Sequence, residues 1–272
     1  MTDQAAWVPP EVDPSIPSIA RAYDYMLGGA HNFTADRQLA EQAEKAVPGS
    51  RQIARLNRSF LARAVRVLVE SGVRQFLDIG SGVPTVGNVH EIAQRSAPES
   101  RVLYVDKDPI AVAHSQLILA GNENADVLRE DLRNPEAILE SRQAKRLLDL
   151  DEPVAVLMVM MLHWVPEQDD PYGLVGRYRD AICPGSYLAI SHVTADQRQD
   201  QISEAADVIQ RAKSPDQLAY RTHAQVVRLF EGMELLDPGV VGCGLWRTGG
   251  SGDFADEPDL NSHVYAGVAR KP

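Results

Sequence analysis

Residues 74–109, RQFLDIGSGVPTVGNVHEIAQRSAPESRVLYVDKDP, constrain the fold more than any other part of the chain. An apolar run, residues 75–79, ends in the turn Gly80, Ser81, Gly82. A helical stretch follows, and a second apolar run, residues 102–105, ends on Asp106, which lies 24 positions after Gly82. This is the grammar of a βαβ unit that holds a nucleotide. Glycine lets the backbone turn tightly and approach a ligand, and a carboxylate at the tip of the second strand accepts both ribose hydroxyls. The pattern predicts a cofactor at Gly80, Ser81, Gly82 and Asp106, with Lys107 beside it.

The alternation continues along the chain. Asp108 and Pro109 read as the N-cap and first residue of a helix ending at Gly121. Residues 125–128 read as a third strand before Glu130 and Asp131, and Asn134-Pro135 as the cap of a helix to about residue 141. Residues 154–162 are wholly apolar, as expected of a central parallel strand covered on both faces. A helix over 174–182, a fifth strand over 187–193 and a long helix over 196–213 come next. Thr222 and Gln225 form a capping box, and two strand-like pieces, 234–241 and 263–269, flank a Gly-rich loop over 248–253. Strands alternating with helices require a doubly wound parallel sheet, and a terminal pair with no helix between them requires antiparallel pairing at its end.

Ahead of this unit the sequence differs. Residues 1–18 carry four prolines and read as an extended arm. Residues 19–27 and 36–46 are helical around the break Gly28-Gly29 and read as a cap. Residues 51–70 form an amphipathic helix, with Ile53, Leu56, Phe60, Ala64 and Val67 on one face and Arg51, Arg55, Arg58 and Arg66 on the other. The expected division is an arm and cap over 1–70 and a cofactor-binding domain over 71–272.

A net charge of -11 opposes nucleic acid and anionic membrane, and the arginine face of that helix reads as solvated. Cys183 and Cys243 make neither a disulfide framework nor a zinc pattern, and no metal is expected. The start lacks the features of a signal peptide, and the longest apolar run is too short to span a bilayer. The expected compartment is the cytoplasm; nothing in the sequence sets the oligomeric state.

Six segments together resemble the actinobacterial S-adenosylmethionine-dependent methyltransferase family long known only as a domain of unknown function. They are ARAYDYMLGGAHNF (20–33), FLDIGSGVPTVGNVHEIA (76–93), VLYVDKDP (102–109), REDLRNPEAIL (129–139), MMLHWVPEQDDP (160–171) and PGSYLAISH (184–192). The resemblance implies a mostly parallel, seven-stranded Rossmann-like methyltransferase sheet with a C-terminal antiparallel hairpin and an N-terminal helical cap. It implies S-adenosylmethionine as cofactor, with Asp78, Gly80 and Gly82 around its methionine part, Asp106 on the ribose, and Asp131 with Leu132 on the adenine edge. Pro84 departs from the broader superfamily, which often has a third glycine there and with it one more backbone donor.

Methyl transfer from a sulfonium demands mainly positioning and exclusion of water. An oxygen acceptor also needs a base, and His163, directly after the central strand, is the first candidate, with Trp164 as a pocket wall. His31 and His192 are weaker candidates. Tyr23, on the cap helix, offers an aromatic face to a sulfonium, and Tyr25 cannot share that face. The expected acceptor is a small molecule methylated on oxygen. Two other readings compete. A non-catalytic S-adenosylmethionine sensor shares every binding residue. An NAD-dependent oxidoreductase shares the first βαβ unit, but Thr85 stands where its fingerprint has glycine or alanine.

Overall fold

The computed structural model describes residues 8–85, 87–212, 214, 216–249 and 258–272. Residues 1–7 of the expected arm and 250–253 of the Gly-rich loop lie outside the described residues. The chain opens with helices α1 (Ile19–Met26), α2 (Thr34–Ala46) and α3 (Ser50–Glu70). It continues as β1 (Gln75–Ile79), α4 (Val89–Ser96), β2 (Arg101–Asp106), α5 (Pro109–Ile118) and β3 (Ala125–Arg129). Two short helices, α6 (Pro135–Leu139) and α7 (Arg142–Leu147), lead to β4 (Val154–Val159). After two 3-10 turns, Leu162–Trp164 and Glu167–Asp169, come α8 (Pro171–Ala181), β5 (Tyr187–Val193), α9 (Gln199–Arg211) and α10 (His223–Arg228). The chain closes with β6 (Glu234–Leu235), β7 (Val241–Gly242), α11 (Pro258–Asn261) and β8 (Val264–Arg270).

Local chemistry sets these boundaries where expected. The Asp108 carboxylate accepts the Ile110 N–H at 2.7 Å, ahead of Pro109 in the first turn of α5. Thr222 and Gln225 form the capping box of α10. The strand expected over 234–241 is instead broken into β6 and β7, because the turn at Pro238-Gly239 takes the chain off β8 and back. The two pieces sit on the same side of β8 in registers three residues apart, so they act as one bulged edge strand.

The sheet order is β3-β2-β1-β4-β5-β8-β6, with β1 to β5 parallel and β8 antiparallel to β5. Alternate side chains feed two cores. Phe76, Val102 and Ala155 point to the layer of α2, α3, α4 and α9, while Leu77, Leu103 and Val156 point to the layer of α6, α7, α8 and α10. Both faces are therefore covered, which is why β1 and β4 are buried along almost their whole length. The chain leaves β1 toward β2 and β3, then returns to β4 on β1's other side. That switch point opens a crevice beyond the carboxyl ends of β1 and β4.

Candidate active site

The first turn is shaped by its glycines. Gly80 has φ +69, and a Cβ there would lie 2.1 Å from the Met161 sulfur, so any side chain would strain the backbone and displace Met161. Its N–H and that of Ser81 both donate to the Val105 carbonyl, at 2.7 and 3.1 Å, which binds the exit of β1 to the end of β2. Gly82 also has positive φ, but open space lies where its Cβ would be. The Ser81 hydroxyl is buried without a partner.

Two buried carboxylates face this turn. Asp106 accepts the N–H groups of Gly82 at 2.7 Å and Asp108 at 2.8 Å; burial nonetheless pushes its pKa up to about 6. No donor among the described residues serves Asp78. Burial raises its pKa to about 7, opposed by the charge of Arg58 and reinforced by that of Asp106. A buried carboxylate with no hydrogen bond is costly unless a cation completes it.

These groups open on a cavity of about 520 Å³. Asp78 and the Gly80-Ser81-Gly82 turn form its floor, with Asp106 and Lys107 at the β2 tip and Glu130 and Leu132 beyond β3. Met160, Met161, His163 and Trp164 form the wall after β4, and Tyr23, Asn57 and Arg58 lean in from α1 and α3. The arm closes the top through Val12 and residues 16–21. Lys107 reaches across the mouth to Asp216 at 2.5 Å.

Of the ten residues assigned to cofactor binding or to the first-choice base, nine therefore meet in one cavity, and Asp131 does not. Its carboxylate is turned to Arg133, at 2.6 and 2.9 Å, and this pairing holds its pKa below the usual carboxylate range. Glu130 faces the cavity in its place. Pro84 is not among the lining residues. The Leu132 N–H has no acceptor among the described residues, while the Leu132 carbonyl takes the buried Tyr178 hydroxyl at 2.7 Å.

Sequence reasoning missed three contributors. Arg58, assigned to a solvated face, lines the cavity and donates to the Gly87 carbonyl at 2.7 Å. Arg21 is buried, ion-paired to Asp36 at 2.8 Å and Asp108 at 3.3 Å, and Ser18 donates its hydroxyl to Asp108. The cap is thus fastened to the β2 tip beside Asp106, with Arg21 as the contribution of the motif ARAYDYMLGGAHNF to that fastening. Tyr23 points inward, bonding the Ala54 carbonyl and Asn57, while Tyr25 turns outward to Glu41. The third is Arg221, 1 % exposed, which donates to the carbonyls of Leu162 and Val165 and to Glu167. It pins the loop that carries His163.

His163 is buried with Nδ1 unpartnered. Burial, with His192 and Arg221 adding to it, holds its pKa well below the usual imidazole range. His192 is fully committed: Nδ1 lies 2.7 Å from the Val193 carbonyl and Nε2 accepts from Arg221, and its pKa is pushed down to about 3. The His31 ring lies against that of His114, 3.7 Å between centroids and tilted by 46°. Neither of these faces the cavity.

Residues 5–272 match the family described as S-adenosyl methyltransferase. The chain belongs to that family. Among solved structures it is similar to a candidate methyltransferase of Thermobifida fusca, at 41% identity and TM-score 0.91, with 98% of this chain and 99% of that one covered. It is similar also to a DUF574 family protein of Streptomyces avermitilis, at 38% identity and TM-score 0.90, covering 96% and 99%. The plantazolicin methyltransferase BpumL in complex with S-adenosylhomocysteine shares the fold at 12% identity and TM-score 0.51, covering 93% and 95%. No curated protein matches. The enzyme is an S-adenosylmethionine-dependent methyltransferase, which removes the oxidoreductase alternative. No helix among the described residues is long and apolar enough to cross a membrane.

Proposed function

We propose that this methyltransferase acts on an oxygen of a small molecule, with His163 as general base. The unpartnered Nδ1 of His163 carries this reading, since a buried polar atom left unsatisfied is expected to meet its partner in a ligand. The cavity fits the cofactor on similar grounds. Asp78 awaits a cation, matching the α-ammonium of the methionine part, and the Ser81 hydroxyl and Gly82 leave a donor and open space beside it. Asp106 suits the ribose hydroxyls, the free Leu132 N–H suits the adenine edge, and Tyr23 suits the cationic sulfur. Asp131 reaches adenine only by giving up Arg133, and Glu130 is the carboxylate already facing that space.

S-adenosylmethionine supplies a methyl carbon whose C–S bonding pair returns to sulfur as the acceptor oxygen bonds to carbon. The protein's part is to align the two, exclude water under the arm and cap, and take the acceptor's proton on the neutral His163 ring. A net charge of -11 favours a small acceptor over a nucleic acid.

Calorimetry is expected to show S-adenosylhomocysteine binding and no NADH binding. Asp106→Ala should weaken that binding by about 1 to 3 kcal/mol, the loss typical of hydrogen bonds to a charged group. Unchanged affinity would remove Asp106 from the ribose.

The arm and cap, residues 12–33, are proposed to act as a lid, because they line the cavity from outside the sheet and are held to it through Asp108, the His31–His114 contact, a small apolar cluster around Val12 and α3. Bound S-adenosylhomocysteine should slow hydrogen exchange across this segment. Identical exchange with and without ligand would refute a lid.

A further inference from the structure

Behind the wall formed by Tyr23, Met160, His163 and Trp164 lies a second chamber of about 150 Å³, and these residues line both spaces. Its sides are hydrocarbon, from Ala22 and Met26 of α1, Leu39 and Ala43 of α2, and Ile202 and Ala205 of α9. Three of the polar side chains that touch it are already spent within the protein. Tyr23 bonds Ala54 and Asn57, Ser50 donates to Glu44, and the two His263 ring nitrogens lie against the Asp259 carbonyl and Gln201. Two ring nitrogens at its boundary with the cofactor cavity have no partner among the described residues, His163 Nδ1 and the Trp164 indole N–H.

We propose that this chamber receives the ring of a monocyclic phenol, whose hydroxyl meets His163 at the boundary with the cofactor cavity. The proposal rests on the reading of His163 given above and adds the chemical class of the acceptor. Volume sets the scale: an apolar space of roughly 150 Å³ lined largely by aliphatic side chains accommodates a ring the size of benzene. Wall chemistry sets the polarity, since a carboxylate, amine or second hydroxyl on the buried edge would find no partner. The methionine sulfurs of Met26 and Met160 and the Trp164 ring suit an aromatic guest. The weak basicity of His163 points the same way, because a phenol, with a pKa near 10, gives up its proton far more readily than an aliphatic alcohol.

The test is calorimetric titration of 4-methylphenol and of toluene into the full-length protein saturated with S-adenosylhomocysteine. Both should bind the wild type. Ala205→Phe, which fills the chamber from α9, should weaken both by tenfold or more while S-adenosylhomocysteine affinity stays unchanged, and Ala43→Leu provides the same test from α2. His163→Ala should weaken 4-methylphenol and spare toluene. Absence of 4-methylphenol binding to the saturated wild type, or affinity indifferent to both filling variants, would overturn the assignment. Loss of S-adenosylhomocysteine binding by the wild type would instead count against the cofactor reading, so the two failures are distinguishable.

Discussion

His163→Ala is expected to lower turnover on the true acceptor by about 10²- to 10⁴-fold, the range for a lost general base, and to leave S-adenosylhomocysteine affinity nearly unchanged. The argument starts from where the ring is held. Arg221 fixes the carbonyls on either side of the turn, and the Met160 N–H, on a residue with φ 56, bonds the Ser191 hydroxyl at 2.9 Å, so the loop has little freedom to redirect the imidazole. Burial and the neighbouring Arg221 then keep the ring unprotonated across the physiological range. Lowering the pH from 8 to 6 should therefore not protonate His163 or remove its share of the wild-type rate. The variant should behave differently: with no base, its residual rate should climb with pH as the acceptor ionises by itself. A variant with wild-type turnover would leave proximity as the only mechanism and make His163 a packing residue.

The parts of this site written locally in the sequence were readable, and those that depend on distant neighbours were not. The turn at Gly80 and Gly82 and the acid at Asp106 follow from strand period and glycine spacing, so their meeting in one cavity follows from the βαβ unit itself. Glu130 and Asp131 are adjacent acids after one strand. What separates them is Arg133, held in turn against Asp169 from the turn after β4, and no local rule contains that pair. The helical period of α3 correctly buries Ile53, Leu56 and Phe60. It says nothing of what lies at the end of the sheet beside Arg58, which is why that arginine read as solvated. Arg221 stands 59 positions from Leu162 and 29 from His192, and the capping box that follows it says nothing of those partners, so its role exists only after folding. The chamber behind His163 is similarly invisible in advance, since Ala43 and Ala205 meet only when α2 packs on α9.

Asp78 gives the second large effect, in both binding and stability. Its folded pKa of about 7 lies well above the ordinary carboxylate value. A ligand that brings a cation to Asp78 prefers the ionised form, so protonation competes with binding. S-adenosylhomocysteine affinity should thus rise about tenfold per pH unit up to about pH 7 and level off above it, with a steeper limb below about pH 6 where Asp106 also protonates. Asp78→Asn should remove the limb near pH 7 and cost roughly 1.5 to 3 kcal/mol of affinity at pH 8. Stability moves oppositely. A carboxyl whose pKa is raised by folding stabilises the native state fully below its unfolded value near 4, and that contribution is lost as pH rises through 7. The ligand-free enzyme should therefore lose stability between pH 5 and pH 8, and Asp78→Asn should be more stable than wild type at pH 8 by about 2 to 4 kcal/mol, with little difference at pH 4. Saturating S-adenosylhomocysteine should erase the wild type's deficit, because the α-ammonium then completes the carboxylate. Thermal unfolding of both proteins at three pH values, with and without ligand, checks every arm. If the asparagine variant melts with the wild type at pH 8, Asp78 is already compensated in the empty protein. Its pH-dependent role in holding the cofactor then falls.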